Sequence, residues 1–427
     1  MTEAFLHYLW KYRLLSSGLS TISGDPIEIL NPGFHNHHAG PDFGDARLRI
    51  ADTIWAGNVE IHVHTSDWFK HGHHNDPVYD NVVLHVVLHH DMDPADEKIP
   101  VLELQHKFDQ RIYEVYKAFM NSRRWVPCIN LIHTVPEHEI NLWLERMLIE
   151  RLERKADIIQ GFLALNDNDW EGAFYFLLAR SFGFNLNTLP FEMMARSLPF
   201  RILARHAENP MQVEALIFGQ AGLLSDEYTE PWPQQLFAEY SFLRKKYQLV
   251  PIAAHLWRFM RLRPVNFPTV RLAQFSSLIA GNAALLSQVL ACETIDELKL
   301  LFDVSGSVFW DQHYHFGKSS VKRKKHLGEN SVMLLIINAV LPFMFVYGRS
   351  LAQDDLCNRA LSLYHDISGE SNTIIQHWQA AGLNVKDAFN TQALIGLKTD
   401  YCDKKRCLEC RIGNILLKNP DNFTNAG

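Results

Sequence analysis

The segment Gly57-Asn58-Val59-Glu60-Ile61-His62-Val63-His64 sets aliphatic and polar side chains in strict alternation from Val59 onward. A period of two marks a β-strand, so Glu60, His62 and His64 project from one face and Val59, Ile61 and Val63 from the other. A carboxylate flanked by imidazoles makes a poor inert core, because a buried charge needs a partner or a cation. The strand is therefore expected to carry a site.

Upstream, Ala46 to Ala51 reads as a strand forming a hairpin with Ile54 to His64 across Asp52-Thr53. It is preceded by a turn-rich stretch, Asn31 to Asp42, containing Pro32, Gly33, Gly40 and Pro41, and by a short strand, Ile27 to Leu30. Phe5, Leu6, Leu9, Trp10 and Leu14 give Glu3 to Leu15 a helical period. Downstream, the polar loop Thr65 to Asp76 leads to Pro77 at a helix start. Val82 to His89 is a near-continuous β-branched run suited to a central strand, and Val101 to Gln105 reads as the next one. The order is helix, three strands, short helix, two strands.

From Thr134 the spacing becomes helical. Thr134 and Glu137 are placed as a capping box around Pro136, ahead of a long amphipathic stretch, Glu139 to Leu163. Further helices are expected at Trp170 to Phe182, Val213 to Leu223, Pro233 to Tyr247, Thr269 to Leu286, Val332 to Phe345, Leu356 to Ile367, Thr373 to Ala381 and Ala388 to Leu397. The apolar run Ser331 to Gly348 contains Asn338 and Pro342, which favours a buried helix kinked or ended at the proline over a membrane span. The fold class is α+β: a mixed α/β, His-rich domain over residues 1–125, then a mainly helical domain over 126–427.

The 427 residues carry 41 Lys+Arg against 48 Asp+Glu, a formal charge of -7, which excludes a global basic field; any nucleic-acid contact must be local. No secretory signal opens the chain, so a cytoplasmic, membrane-free protein is expected. Of 22 histidines, 13 fall in the first 110 residues.

The chemistry concentrates between His35 and His90. A hairpin would carry Asp42, in Gly40-Pro41-Asp42-Phe43, beside Glu60, and two carboxylates with open water positions suit Mg²⁺ or Mn²⁺. His62 is the candidate to orient the water. His38, His64, His71, His73 and His85 are supporting candidates, and Glu3, one helical turn from His7, can face the same place, although a solvated first turn is the plainer reading. At the other end, Cys402, Cys407 and Cys410 can wrap a soft cation, as zinc or an iron–sulfur cluster, with Cys357, Cys128, Cys292 or a histidine as the fourth ligand; Cys357 is the first choice. Two basic clusters, Arg258, Arg261 and Arg263, and Lys322, Arg323 and Lys324, are candidate grips for the backbone of DNA or RNA, a solvated surface being the plainer reading of each.

Over the first 110 residues this arrangement resembles the PD-(D/E)xK phosphodiesterase superfamily. Glu3 matches its helix acid, Pro41-Asp42 its first signature and Glu60-Ile61-His62 its second, with His62 where that superfamily has lysine. The resemblance implies a restriction-endonuclease-like fold and metal-dependent nuclease chemistry, with His62 replacing the lysine as base or as a softer ligand. Over nearly the full length the chain resembles a bacterial family of uncharacterised proteins, DUF2851. The carrying residues are Gly40-Pro41-Asp42-Phe43, Gly57 to His62, Asp67-Trp68 with His71-Gly72-His73, Leu84 to Val87, Arg263 to Pro268, and Cys402 with Cys407 and Cys410.

Three functions are compatible with these residues: a metal-dependent phosphodiesterase acting on nucleic acid; a metallohydrolase using the histidine cluster with Zn²⁺ or Fe²⁺ on a small substrate; and a catalytically degenerate module that binds nucleic acid or a partner.

Overall fold

Helix α1, Glu3–Lys11, buries Phe5, Leu6, Tyr8, Leu9 and Trp10. It stops a turn short of Leu15, where Arg13 takes a positive φ of 52° and breaks the helical path. Strands β1 (Leu19–Ser20), β2 (Pro26–Asn31), β3 (Phe34–His35), β4 (Phe43–Ile50) and β5 (Thr53–His64) follow. After helix α2 (Asp67–Lys70) come β6 (Val82–His89), β7 (Val101–Glu103) and helix α3 (Gln110–Asn121). The computed structural model describes residues 1–92, 99–282 and 284–421.

The strands form one mixed sheet in the order β1-β2-β4-β5-β6-β7, with β3 pairing with β4. The expected β4–β5 hairpin is antiparallel, with Ile50 opposite Thr53, and Ala51 supplies a positive φ of 51° in its turn. β6 and β7 add in parallel, as a run buried along seven of its eight residues requires. The β5–β6 register sets Glu60 beside His85 and His62 beside Val87. Gly57 makes this approach possible: a Cβ there would lie 2.5 Å from Val83 Cγ1 and 2.7 Å from the Asn81 carbonyl. Pro77 opens only a 3₁₀ turn, Pro77–Tyr79, capped by the Asp76 carboxylate on the Val78 N–H.

The chain divides into two units: Met1–Trp143 with Ala380–Leu383 and Leu397–Gly427, and Leu144–Gln379 with Asn384–Gly396. The cysteine-rich C-terminal segment thus belongs to the first unit, whereas the boundary expected at 125/126 groups it with the helices. Within the first unit the helix Arg411–Lys418 packs by α3, the Tyr8 hydroxyl meets the Asn414 carbonyl at 3.5 Å, and Lys418 Nζ lies 4.2 Å from the Tyr12 ring centroid.

The second unit is helical, with a small antiparallel pair, His313–His315 and Lys318–Ser319, that the sequence pattern did not signal. Glu137–Leu165 starts behind Pro136, whose carbonyl accepts from Glu139 and Ile140; the Thr134 hydroxyl instead donates to Leu131, so the capping box is not formed. Glu329–Ser350 is a helix long and apolar enough to cross a membrane, with 72% of its apolar window buried inside the protein. Pro342 does not end it. A π-turn, Ile336–Val340, precedes the proline, and the Asn338 carbonyl, four residues before it, accepts from Lys155 Nζ at 2.6 Å. That ammonium replaces the N–H that proline lacks.

Candidate metal centre

Asp42 ends the turn before β4, directly across from the middle of β5, because Phe43 pairs with Val59. Its backbone N–H donates to Glu60 Oε2 at 3.0 Å, and its Oδ2 accepts from the Ile61 N–H at 2.9 Å. On the other side of Asp42, His7 Nε2 of α1 lies 3.2 Å from Oδ2. Glu3, one turn earlier, is within electrostatic reach of His71, Asp42 and His7, so the first turn of α1 faces the site and is not simply solvated.

Glu60 Oε1 faces two imidazoles, 3.5 Å from His62 Nε2 and 3.3 Å from His73 Nε2. His62 Nε2 also meets His71 Nδ1 at 3.1 Å, and its Nδ1 meets His85 Nε2 at 2.9 Å. Ligand nitrogens of His62, His71 and His73 can all lie within 4.8 Å of one another, the spacing of a metal site. A tetrahedron with metal–ligand bonds of 2.0–2.1 Å has an edge of about 3.3 Å. Three of the contacts are close to that edge, Glu60 to His62 at 3.5 Å, Glu60 to His73 at 3.3 Å and His62 to His71 at 3.1 Å, while the mutually close set is the three histidines, with Glu60 beside it. An ion on His62 Nε2 requires the proton on Nδ1, where it donates to His85, so His85 fixes the tautomer of a ligand. Two aromatic rings hold the loop in place: Tyr79 stacks on His73 with centroids 3.8 Å apart, and Trp68 packs against His73 and His85.

The charges follow from this packing. Burial pushes Glu60 up to about 8, helped by the Asp42 carboxylate beside it. Burial also opposes charge on Asp42, but His7 and the Ile61 N–H outweigh it and hold Asp42 below the usual carboxylate range. Burial, reinforced by neighbouring imidazoles, lowers His62 to about 4 and His85 to about 3. His62 and His85 are thus neutral near pH 7, so His62 has a lone pair to offer a cation, whereas Glu60 keeps its proton near that pH until a cation takes its place.

Of the residues expected from sequence, Glu3, Asp42, Glu60, His62, His71, His73 and His85 converge. His38 does not: it is exposed, with its backbone N–H on Asn36 Oδ1. His64 turns to Asp67, 3.5 Å away. His7, read as half of a solvated turn, is the partner of Asp42, and its four-residue spacing from Glu3 was the available signal. Tyr79 had none, since nothing in the sequence marks a ring that stacks from a 3₁₀ turn.

In the same unit Cys402, Cys407 and Cys410 share one cavity with Cys128. Cys357, the first choice for fourth ligand, lies in the second unit with its Sγ on the Phe345 carbonyl, packed close over Gly348. Burial raises Cys407 to about 12 and Cys410 to about 11. Arg258, Arg261, Arg263, Lys322, Arg323 and Lys324 are all exposed in the second unit, while neighbouring Lys325 is buried and donates to the Trp310 and Asp311 carbonyls.

No curated protein and no solved structure matches the chain. The sequence model of the family described as a protein of unknown function, DUF2851, matches residues 3–373, and the chain belongs to that family.

Proposed function

We propose that the first unit is a metal-dependent phosphodiesterase acting on nucleic acid, with one transition ion held by Glu60, His62, His71 and His73. The observation that carries this reading is the gathering of three imidazoles, His62 and His73 lowered by burial, beside a carboxylate whose own charge is unfavourable without a cation. A set mixing imidazole and carboxylate suits Mn²⁺ better than Mg²⁺, which prefers oxygen. Such an ion acidifies its bound water and neutralises charge on a phosphate. Asp42, held charged by His7 and the Ile61 N–H, stands beside Glu60 and is the group that would orient that water.

The choice of phosphodiesters is supported by the arrangement of helix acid on α1, Pro-Asp just ahead of β4 and Glu-x-His on β5, with β6 parallel to β5. This is the layout implied by a restriction-endonuclease-like domain. Independently of that site, the second unit carries two exposed basic clusters, Arg258 to Arg263 and Lys322 to Lys324, where phosphate contacts would make nucleic-acid binding steeply salt-dependent.

The test is cleavage of single-stranded DNA, duplex DNA and RNA with Mn²⁺, Mg²⁺ or Zn²⁺, by wild type, Asp42→Ala, Glu60→Ala and His71→Ala. Mn²⁺-dependent cleavage lost in all three variants supports the reading. Absence of cleavage by folded, metal-loaded wild type refutes it, and salt-dependent binding without cleavage then marks a degenerate binding module.

One observation favours a second reading. Three imidazoles are by themselves a full protein ligand set for catalytic zinc. Zinc binding and ester hydrolysis that survive Asp42→Ala, without cleavage of nucleic acid, would identify a small-substrate hydrolase.

A further inference from the structure

We propose that Cys128, Cys402, Cys407 and Cys410 ligate an iron–sulfur cluster that fastens the C-terminal segment to the sheet-bearing unit. The four side chains line one cavity, shielded by Phe119, Pro127 and Tyr401. All four are free thiols. Each of Cys128 and Cys402 is within electrostatic reach of Cys407 and Cys410. The three C-terminal cysteines follow the residues matched by the family, 3–373, and no residue of the imidazole centre lines the cysteine cavity.

Four thiols lining one cavity can take a zinc ion or an iron–sulfur cluster, and the order of the ligands in the sequence favours the cluster.

The local spacing agrees. Cys402 and Cys407 are separated by four residues, Cys407 and Cys410 by two, with the fourth thiol distant in sequence. This C-x₄-C-x₂-C run with a remote fourth cysteine is an iron–sulfur pattern, here with the remote residue upstream. The wrap depends on Gly413, where a Cβ would lie 2.3 Å from the Cys407 carbonyl. Cys410 is the residue that opens the helix Arg411–Lys418, so its thiol sits at that helix's N-terminus.

The test uses the full chain purified without oxygen, with iron, acid-labile sulfide and zinc measured per chain and the visible charge-transfer absorption recorded. Protein recovered empty is incubated with Fe²⁺ and sulfide under reducing conditions. The expected result is iron and sulfide in equal amounts, about two or four of each per chain. Both are lost in Cys128→Ser and Cys407→Ser and kept in Cys357→Ser. Stoichiometric zinc without sulfide, failure of wild type to take up iron and sulfide, or retention of the cluster in Cys128→Ser overturns the proposal. The wild-type metal analysis stands even if a serine variant fails to fold. Nucleic-acid cleavage plays no part in the readout, so this result and the phosphodiesterase reading can fail independently.

Discussion

Asp42 and Glu60 are joined through the backbone: the Asp42 N–H donates to Glu60 Oε2 at 3.0 Å, while the Asp42 carboxylate accepts from the residue after Glu60 at 2.9 Å. This interlock holds two acids side by side without a shared proton, and it gives them different charge states. Asp42 stays ionised through His7 and Ile61, and Glu60 stays protonated through burial until a cation arrives.

Because the roles differ, the isosteric variants should separate. Glu60→Gln removes a ligand and is expected to weaken Mn²⁺ binding by about 100-fold or more, taking activity with it. Asp42→Asn keeps the Ile61 contact and most of the Mn²⁺ affinity but lowers turnover, by roughly 100-fold if the carboxylate orients the attacking water. Titration calorimetry with Mn²⁺ and steady-state cleavage check the pair; equal loss of affinity in both variants contradicts the division.

His85 acts on the ion through His62, which it meets at 2.9 Å. His85→Ala is expected to cost about 10–100-fold in Mn²⁺ affinity. His85→Gln, which retains an acceptor for the His62 N–H, should recover part of it, whereas a purely space-filling role predicts no difference between the two variants.

Four buried groups shape the pH dependence of the metal-free protein. His35 and His62, lowered to about 4, and His85, lowered to about 3, stay neutral in the fold while their unfolded counterparts take up protons below about 6.5, so stability falls as pH drops from there. Glu60, raised to about 8 from 4.5, keeps its proton in the fold while the unfolded chain loses it, so its contribution declines as pH rises through that window. The imidazoles set the acid limb, so the melting temperature of chelated protein is expected to fall as pH drops below about 6.5. Glu60→Gln is expected to raise the melting temperature relative to wild type more at pH 8 than at pH 4.5. A difference between the two proteins that does not change with pH contradicts this.

Gly57 and Lys155 test the scaffold. A methyl at position 57 meets Val83 and the Asn81 carbonyl, so Gly57→Ala should part β5 from β6, destabilise by about 1–3 kcal/mol and weaken Mn²⁺ binding by displacing His62 from His85. Lys155→Met strands the Asn338 carbonyl that Pro342 cannot serve, at about 1–3 kcal/mol, with Mn²⁺ affinity unchanged. Melting curves with and without Mn²⁺ distinguish the two effects.

Much of this was readable from local pattern. Alternation from Val59 to His64 and the apolar run from Val82 to His89 located β5 and β6, because a period of two survives any tertiary context. The hairpin explained how Asp42 reaches Glu60. The sequence was silent where a partner comes from far along the chain. Nothing near Cys402 announces Cys128, and only packing separates it from Cys357. Pro342 reads locally as a helix end, and the compensating donor, Lys155, lies on another helix. His38 and His71 look equivalent in a histidine-rich stretch, and both are exposed; the end of α2 places His71 within 3.1 Å of His62.

The measurement that bears most directly on the central claim is the binding of Mn²⁺ to the full chain, followed by loss of the free-ion electron paramagnetic resonance signal, for wild type and His71→Ala. Closure of Glu60, His62, His71 and His73 around one ion predicts a single tight site in wild type that vanishes in a folded His71→Ala protein. Equal Mn²⁺ binding by both, or none by wild type, contradicts it.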